Sequence, residues 1–122
     1  MAVLEKRSPR ESFTKKLEQI CQRLDEASTR TIAHKDFFSK AATSQVEITS
    51  LWVVGSYARG AMICGDLDLV LEYRVVEGQH PSPRTMTRTF FGTPQYVSYY
   101  FGTPESSTSG VVFTSAVQIW TG

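Results

Sequence analysis

Two aspartates, Asp66 and Asp68, alternate with leucines near the middle of the 122-residue sequence. On a β-strand both carboxylates would lie on one face, with Leu67 and Leu69 on the other. Carboxylates about 6–7 Å apart repel each other, and an apolar core gains nothing from them. Divalent cations would neutralise this repulsion, and Mg²⁺ prefers carboxylate oxygens together with substrate phosphates. We therefore predict that this acid pair, Asp66 and Asp68, binds Mg²⁺, with Mn²⁺ as the alternative ion.

A glycine–serine step precedes the acid pair. Gly55 and Ser56 directly follow the apolar run Leu51–Val54 and open a short predicted helix. A glycine allows an anion to approach the backbone, and free N–H groups at a helix start favour phosphate. The Ser56 hydroxyl and the Arg59 guanidinium, one turn later, are further donors. With Gly65 before the acid strand, these residues predict a phosphate-binding turn beside the carboxylates.

Together these segments resemble the signature of the DNA polymerase β-like nucleotidyltransferase superfamily. That signature is an apolar strand ending in Gly-Ser, a spacer, and Asp-x-Asp within a second apolar strand. Here Gly55–Ser56 and Asp66–Asp68 are separated by nine residues. The resemblance covers about residues 8–76 closely and residues 77–122 loosely.

The resemblance implies a function and a role for each matching residue. The acid pair would be catalytic and would hold two Mg²⁺ ions. Ser56 and Arg59 would contact the β- and γ-phosphates of a nucleoside triphosphate, helped by the backbones of Gly55 and Gly65. The implied reaction transfers a nucleoside monophosphate to a hydroxyl acceptor and releases pyrophosphate. The acceptor is left open among a nucleic-acid 3′ end, a protein side chain, a second nucleotide and a small molecule.

One departure from the superfamily pattern concerns the third carboxylate, which comes from a later, neighbouring strand. The candidate strand Val111–Trp120 has Gln118 at the expected place. Glu72 shares the face of the acid pair but lies roughly 13 Å farther along the strand, and Glu105 falls in a predicted loop. Either the third acid lies beyond this chain, or the strand alignment is wrong, or the site is catalytically incomplete. The alternative function is therefore a nucleotide-binding or protein-assembly module, antitoxin-like or regulatory.

The surrounding pattern predicts the elements that position this site. Ser8 and Pro9 mark the start of a helix, followed by an apolar stripe at helical spacing: Phe13, Leu17, Ile20 and Leu24. A second, weaker helix is predicted over Thr29–Ala42, and a loop over Gly78–Pro83. The predicted strands are Val46–Val54, Asp66–Val76, Tyr96–Phe101 and Val111–Trp120. We expect one α/β (α+β) domain over residues 1–122, with a small mixed β-sheet and helices on one face. The resemblance implies that this domain is nucleotidyltransferase palm-like.

Composition and charge argue against several classes of protein. A formal net charge of +1 argues against a strongly basic nucleic-acid binder. The longest apolar run, Leu51–Val54, is too short for a membrane span, and two cysteines do not form a disulfide framework, so we expect a cytoplasmic protein. From Thr89 onward Glu105 is the only charged residue. One interpretation is that this region packs against a further domain or a protein partner, the chain being the front portion of a longer protein.

Overall fold

A computed structural model describes residues 8–36, 38–107 and 115–122. These residues form an α+β fold in which one mixed, open sheet is the largest element. The helices are α1 (Arg10–Glu26), α2 (Gly55–Ala58) and α3 (Pro83–Phe91). The strands are β1 (Ser8–Pro9), β2 (Thr29–Lys35), β3 (Ala41–Val54), β4 (Ile63–Cys64), β5 (Leu67–Glu77), β6 (Val97–Thr103), β7 (Ser106–Ser107) and β8 (Val117–Thr121).

Strand β3 is the centre of the six-stranded sheet. Along one edge it pairs with β5, and along the other it pairs first with β2 and then, nearer its end, with β8, always antiparallel. Strand β6 lies on the far side of β5 and is parallel to it, and β7 extends the end of β6. Strands β1 and β4 form a separate antiparallel pair. The strand that carries Asp68 therefore has β3 on one side and β6 on the other.

Helices α1 and α3 cover one face of the sheet. The predicted stripe of α1 is buried as expected, with Phe13 fully buried and Leu24 only 1% exposed. It packs into one core with Met86 and Phe90 of α3 and with alternate side chains of β3 and β5, among them Leu69. Alternation along the strands leaves the opposite face of the sheet without either helix. The predicted fold class, with helices on one face, is confirmed.

The predicted helix over Thr29–Ala42 is wrong, because this segment forms β2 and the start of β3. The Asp36 carboxylate accepts hydrogen bonds from the backbone N–H groups of Phe38 (2.8 Å) and Lys40 (2.9 Å). An aspartate that closes a turn in this way competes with helix formation. The result is a hairpin whose two strands suit the β-branched residues on either side.

Sequence analysis also missed helix α3, which begins at Pro83, the residue that ends the predicted loop. The Ser82 hydroxyl caps it by accepting from the Thr85 N–H at 3.2 Å, and Gly92 follows its end with φ +73°. A serine–proline step was the signal used to start α1, so the same signal was present here.

The four predicted strands correspond to β3, β5, β6 and β8, with shifted ends. Strand β3 begins five residues earlier than predicted, at Ala41. Of the predicted strand Val111–Trp120, residues 117–120 are in β8, whereas residues 111–114 lie outside the described residues. Among the helices of the described chain, none is long and apolar enough to cross a membrane.

Candidate functional site

The predicted phosphate-binding turn lies where β3 ends and α2 begins. Gly55 has φ +74°, a conformation that L side chains rarely adopt. The Gly55 carbonyl accepts from the Arg59 N–H at 3.2 Å, and the Tyr57 carbonyl accepts from the Gly60 N–H at 3.0 Å. Gly60, with φ +86°, then lets the chain leave this single helical turn. Four residues, Gly55 to Ala58, are therefore held in a tight bend at the end of a buried strand.

The bend touches the acid strand directly. In the antiparallel pairing of β3 with β5, Val54 lies opposite Asp68. A Cβ atom built on Gly55 would fall 2.6 Å from Oδ2 of Asp68, closer than real Cβ atoms come to a nonbonded atom. The missing side chain of Gly55 is thus what leaves room for the Asp68 carboxylate. The structure brings the predicted glycine and the predicted carboxylate together.

The acid pair lies at the start of β5. Asp66 is exposed and immediately precedes the strand, and Asp68 is half-buried within it. Burial raises the pKa of the Asp68 carboxyl above its usual value, the charge of Asp66 raises this pKa further, and the charge of Arg59 lowers it. All three groups are therefore close enough to interact through their charges.

The other predicted site residues, Arg59, Ser56 and Gly65, differ in their exposure and in their contacts. Arg59 is exposed, so its guanidinium is accessible to an anion. Ser56 is half-buried, and its carbonyl accepts from the Ala61 N–H at 3.1 Å. Gly65 precedes Asp66, but a Cβ atom added there would meet no atom within 4 Å. The structure gives Gly55 a steric reason to be glycine and gives Gly65 none.

The predicted position of the third carboxylate is wrong. Gln118 lies in β8, which pairs with β3 and not with the acid strand β5. The later strand beside β5 is β6, where Ser98 lies opposite Asp68. Glu72 of β5 lies opposite Ser50 of β3. Glu105 is exposed in the turn between β6 and β7. Within the described part of the chain, no three His, Cys, Asp or Glu side chains converge into a metal-binding group.

Sequence analysis missed the residues that hold the bend in place. Arg10, the first residue of α1, donates from Nη1 to the carbonyls of Tyr57 (2.6 Å) and Ala61 (3.2 Å). The Arg10 guanidinium carbon also lies 3.9 Å from the centre of the Tyr57 ring. Thr14 donates to the Arg10 carbonyl (3.1 Å), so the hydrogen bond of 2.5 Å between the Thr14 and Tyr57 hydroxyls has Tyr57 as donor. These residues dock the bend on α1.

No protein-family model, curated protein or solved structure matches the chain.

Proposed function

We propose that this protein is a Mg²⁺-dependent nucleotidyltransferase of the polymerase β-like kind. The observation that carries the proposal is the contact between the Gly55 bend and the Asp68 carboxylate, where a Cβ atom would fall 2.6 Å from Oδ2. A glycine–serine bend packed this closely on one carboxylate of the acid pair places the proposed phosphate-binding element beside the proposed cation-binding one. Burial and the charge of Asp66 raise the pKa of the Asp68 carboxyl, and the charge of Arg59 lowers it, so this cation interacts with the same carboxylate.

The residues present fit a magnesium ion. Asp66 and Asp68 offer hard oxygen donors, and Mg²⁺ in proteins is commonly held by one or two carboxylates plus substrate phosphates. Burial raises the pKa of the Asp68 carboxyl, and the charge of Asp66 raises it further. This repulsion between the two carboxylates gives them a reason to bind a cation. When bound, Mg²⁺ would neutralise charge that develops on the phosphates. Mn²⁺ has compatible ligand preferences.

The other residues of the site bind and orient the substrate. The Arg59 guanidinium and the Ser56 hydroxyl donate to the β- and γ-phosphates, with the backbones of Gly55 and Gly65 approaching them. A hydroxyl of the acceptor attacks the α-phosphorus, so that one P–O bond forms as the P–O bond to pyrophosphate breaks. The hydroxyl proton passes to solvent. We place this reaction in the cytoplasm, since two cysteines in 122 residues suit a reducing compartment.

Calorimetric titration tests the proposal directly. Each nucleoside triphosphate is titrated with Mg²⁺ into the wild type and into the Asp66→Asn/Asp68→Asn double variant. We expect metal-dependent binding by the wild type and its loss in the variant. Glu72→Gln is the matched control, because it removes one carboxylate from the same strand roughly 13 Å from Asp68. A folded wild type that binds no nucleotide, or equal loss in the control, contradicts the proposal.

A second candidate function is a catalytically incomplete nucleotide-binding or protein-assembly module, antitoxin-like or regulatory. The observation that favours it is Ser98, which lies opposite Asp68 on the neighbouring strand β6 where a third carboxylate would stand. This module would bind nucleotide or a protein partner without releasing pyrophosphate. An assay of pyrophosphate release across nucleic-acid, protein and small-molecule acceptors separates the two functions. In the assembly function, Asp68→Asn retains partner binding.

A further inference from the structure

Arg10, the first residue of α1, contacts the bend and the loop that follows it. Its Nη1 donates to the carbonyls of Tyr57 (2.6 Å) and Ala61 (3.2 Å), and its backbone N–H donates to the carbonyl of Met62 (2.7 Å). Strand β1, directly before Arg10, pairs with β4, which follows Met62. The chain between Tyr57 and β4 is therefore joined to the start of α1 at several points.

The bend is held from two sides. On one side Tyr57 is buried in the core cluster together with residues of α1, and the Arg10 guanidinium carbon lies 3.9 Å from the centre of the Tyr57 ring. On the other side an added Cβ atom at Gly55 would fall 2.6 Å from Oδ2 of Asp68. Strand alternation places this carboxylate on the sheet face opposite the core. Arg10 and Asp68 therefore limit the position of the bend from opposite faces of the sheet.

Two arginines lie at the bend, and their surroundings differ. Both hydrogens of Arg10 Nη1 are used by the carbonyls of Tyr57 and Ala61, and Arg10 is half-buried. Arg59 is exposed, and within the described residues its guanidinium makes no hydrogen bond. Arg59 is thus accessible to a phosphate, whereas the Nη1 group of Arg10 is occupied by the protein backbone. An effect of Arg10 on phosphate binding would therefore act through the bend.

The Arg10 guanidinium also compensates charge beside the proposed phosphate site. The carbonyl oxygens of Tyr57 and Ala61, which flank Arg59 in sequence, each carry a partial negative charge. The Tyr57 carbonyl accepts a second hydrogen bond from the Gly60 N–H at 3.0 Å, which fills both of its lone pairs. Charge-assisted hydrogen bonds such as those from Arg10 are roughly twice as strong as neutral ones. Removing the guanidinium would weaken the attachment of the bend to α1 and leave partial negative charge next to an anion.

Resting on the proposed function, we propose that Arg10 is a positioning residue for the triphosphate. It holds the bend on α1 so that the Ser56 hydroxyl and the Arg59 guanidinium are aligned with the β- and γ-phosphates. A displacement of about 1 Å of aligned groups can cost on the order of 100-fold. Within the described residues, the hydrogen bonds of Arg10 go to Thr14 and to the bend and its loop, not to the acid pair. Cation binding by the acid pair should therefore not require Arg10.

Calorimetric titration of inorganic tripolyphosphate in Mg²⁺ tests this role, because the probe has the phosphates of the proposed substrate and no base. We expect Arg10→Met to weaken tripolyphosphate binding roughly 10- to 100-fold. Arg10→Lys keeps a cation without the planar fork and should recover part of the loss. Mn²⁺ binding without phosphate, measured by electron paramagnetic resonance, should be at least as tight in Arg10→Met as in the wild type. A purely structural role would lower the folded fraction, and with it the number of sites for both probes alike.

Arg23→Met is the matched control. Arg23 lies near the other end of α1 and likewise donates from Nη1 to a backbone carbonyl, that of Phe90, at 3.0 Å. Its loss should lower the free energy of unfolding without weakening tripolyphosphate binding, because Phe90 belongs to α3 and not to the bend. Should Arg10→Met fail to fold, as judged by circular dichroism, Arg10→Gln keeps an amide donor without the charge and should also weaken tripolyphosphate binding.

The outcomes separate this inference from the proposed function. Unchanged tripolyphosphate affinity in a folded Arg10 variant without the charge, an equal loss in Arg23→Met, or no tripolyphosphate binding by the wild type overturns the inference. Nucleoside triphosphate binding that is lost in Asp66→Asn/Asp68→Asn but unchanged in Arg10→Met refutes this inference alone. Binding that is weakened in Arg10→Met but unchanged in Asp66→Asn/Asp68→Asn refutes the proposed function alone.

Discussion

Replacing Gly55 by alanine tests whether the bend and the acid strand are as tightly joined as the geometry indicates. The new Cβ atom would lie 2.6 Å from Oδ2 of Asp68, at a residue with φ +74°. The left-handed conformation costs a non-glycine residue about 1–2 kcal/mol. Displacing the Asp68 carboxylate from its rotamer adds about 0.5–1.5 kcal/mol. We expect Gly55→Ala to lower the free energy of unfolding by about 1.5–3.5 kcal/mol.

Urea unfolding of a double-mutant cycle separates these two costs. In an Asp68→Ala chain the atom nearest to the added Cβ at residue 55 is the Cβ at residue 68, at an ordinary contact distance of 3.6 Å. The backbone cost remains there, but the carboxylate cost disappears, so the two substitutions should couple by about 0.5–1.5 kcal/mol. Gly60→Ala is the matched control. Gly60 has φ +86° but no atom within 4 Å of an added Cβ, so it should show the backbone cost without coupling to Asp68→Ala.

Additivity of Gly55→Ala and Asp68→Ala would refute the close approach of bend and carboxylate. A coupling as large for Gly60→Ala would refute it equally, because the effect would then belong to the loop as a whole. Both results are accessible with purified protein and require no substrate.

Three further predictions concern the residues around this site and the core. Tyr57→Phe removes the hydroxyl that donates to Thr14 and should lower the free energy of unfolding, measured in urea, by about 0.5–1.5 kcal/mol. If the losses caused by Tyr57→Phe and Thr14→Ala simply add in the double variant, the hydrogen bond is contradicted. Burial raises the pKa of the Tyr99 phenol to about 12, so the free energy of unfolding does not depend on this group below the unfolded pKa near 10 and falls as pH rises from there through about 12. Tyr99→Phe should flatten the pH dependence of urea unfolding in this window. Because the Tyr99 hydroxyl is buried with no hydrogen-bond partner among the described residues, the same substitution should stabilise the protein at neutral pH by up to about 1–3 kcal/mol, and a destabilised variant would contradict this. Ser44 is 2% exposed, and its hydroxyl donates to the carbonyl of Gln79 in the connection between β5 and α3. Ser44→Ala should therefore lower the free energy of unfolding by about 1–3 kcal/mol in a thermal or urea melt. A loss no larger than that of the exposed control Ser106→Ala would contradict this.

The sequence was sufficient for several elements whose conformation is decided by neighbours along the chain. The apolar stripe of α1 and the apolar strand before Gly55 are local patterns, and both elements form as predicted. The alternation of Asp68 with leucines likewise predicted that its carboxylate faces away from the core. The helix predicted over Thr29–Ala42 was wrong for a reason that is also local, since the turn is closed by the side chain of Asp36.

Only the tertiary structure decided which elements meet at the site. Strand order depends on how helices and strands pack together, and the sequence does not state that β6, with Ser98 opposite Asp68, lies beside the acid strand. The docking of Arg10 on the bend is a contact between residues 47 positions apart, which no local pattern contains. Gly55 depends on both the local sequence and the tertiary structure. Its residue type suggested a turn, but its fit against the Asp68 carboxylate exists only because the pairing of β3 with β5 brings the two within van der Waals distance.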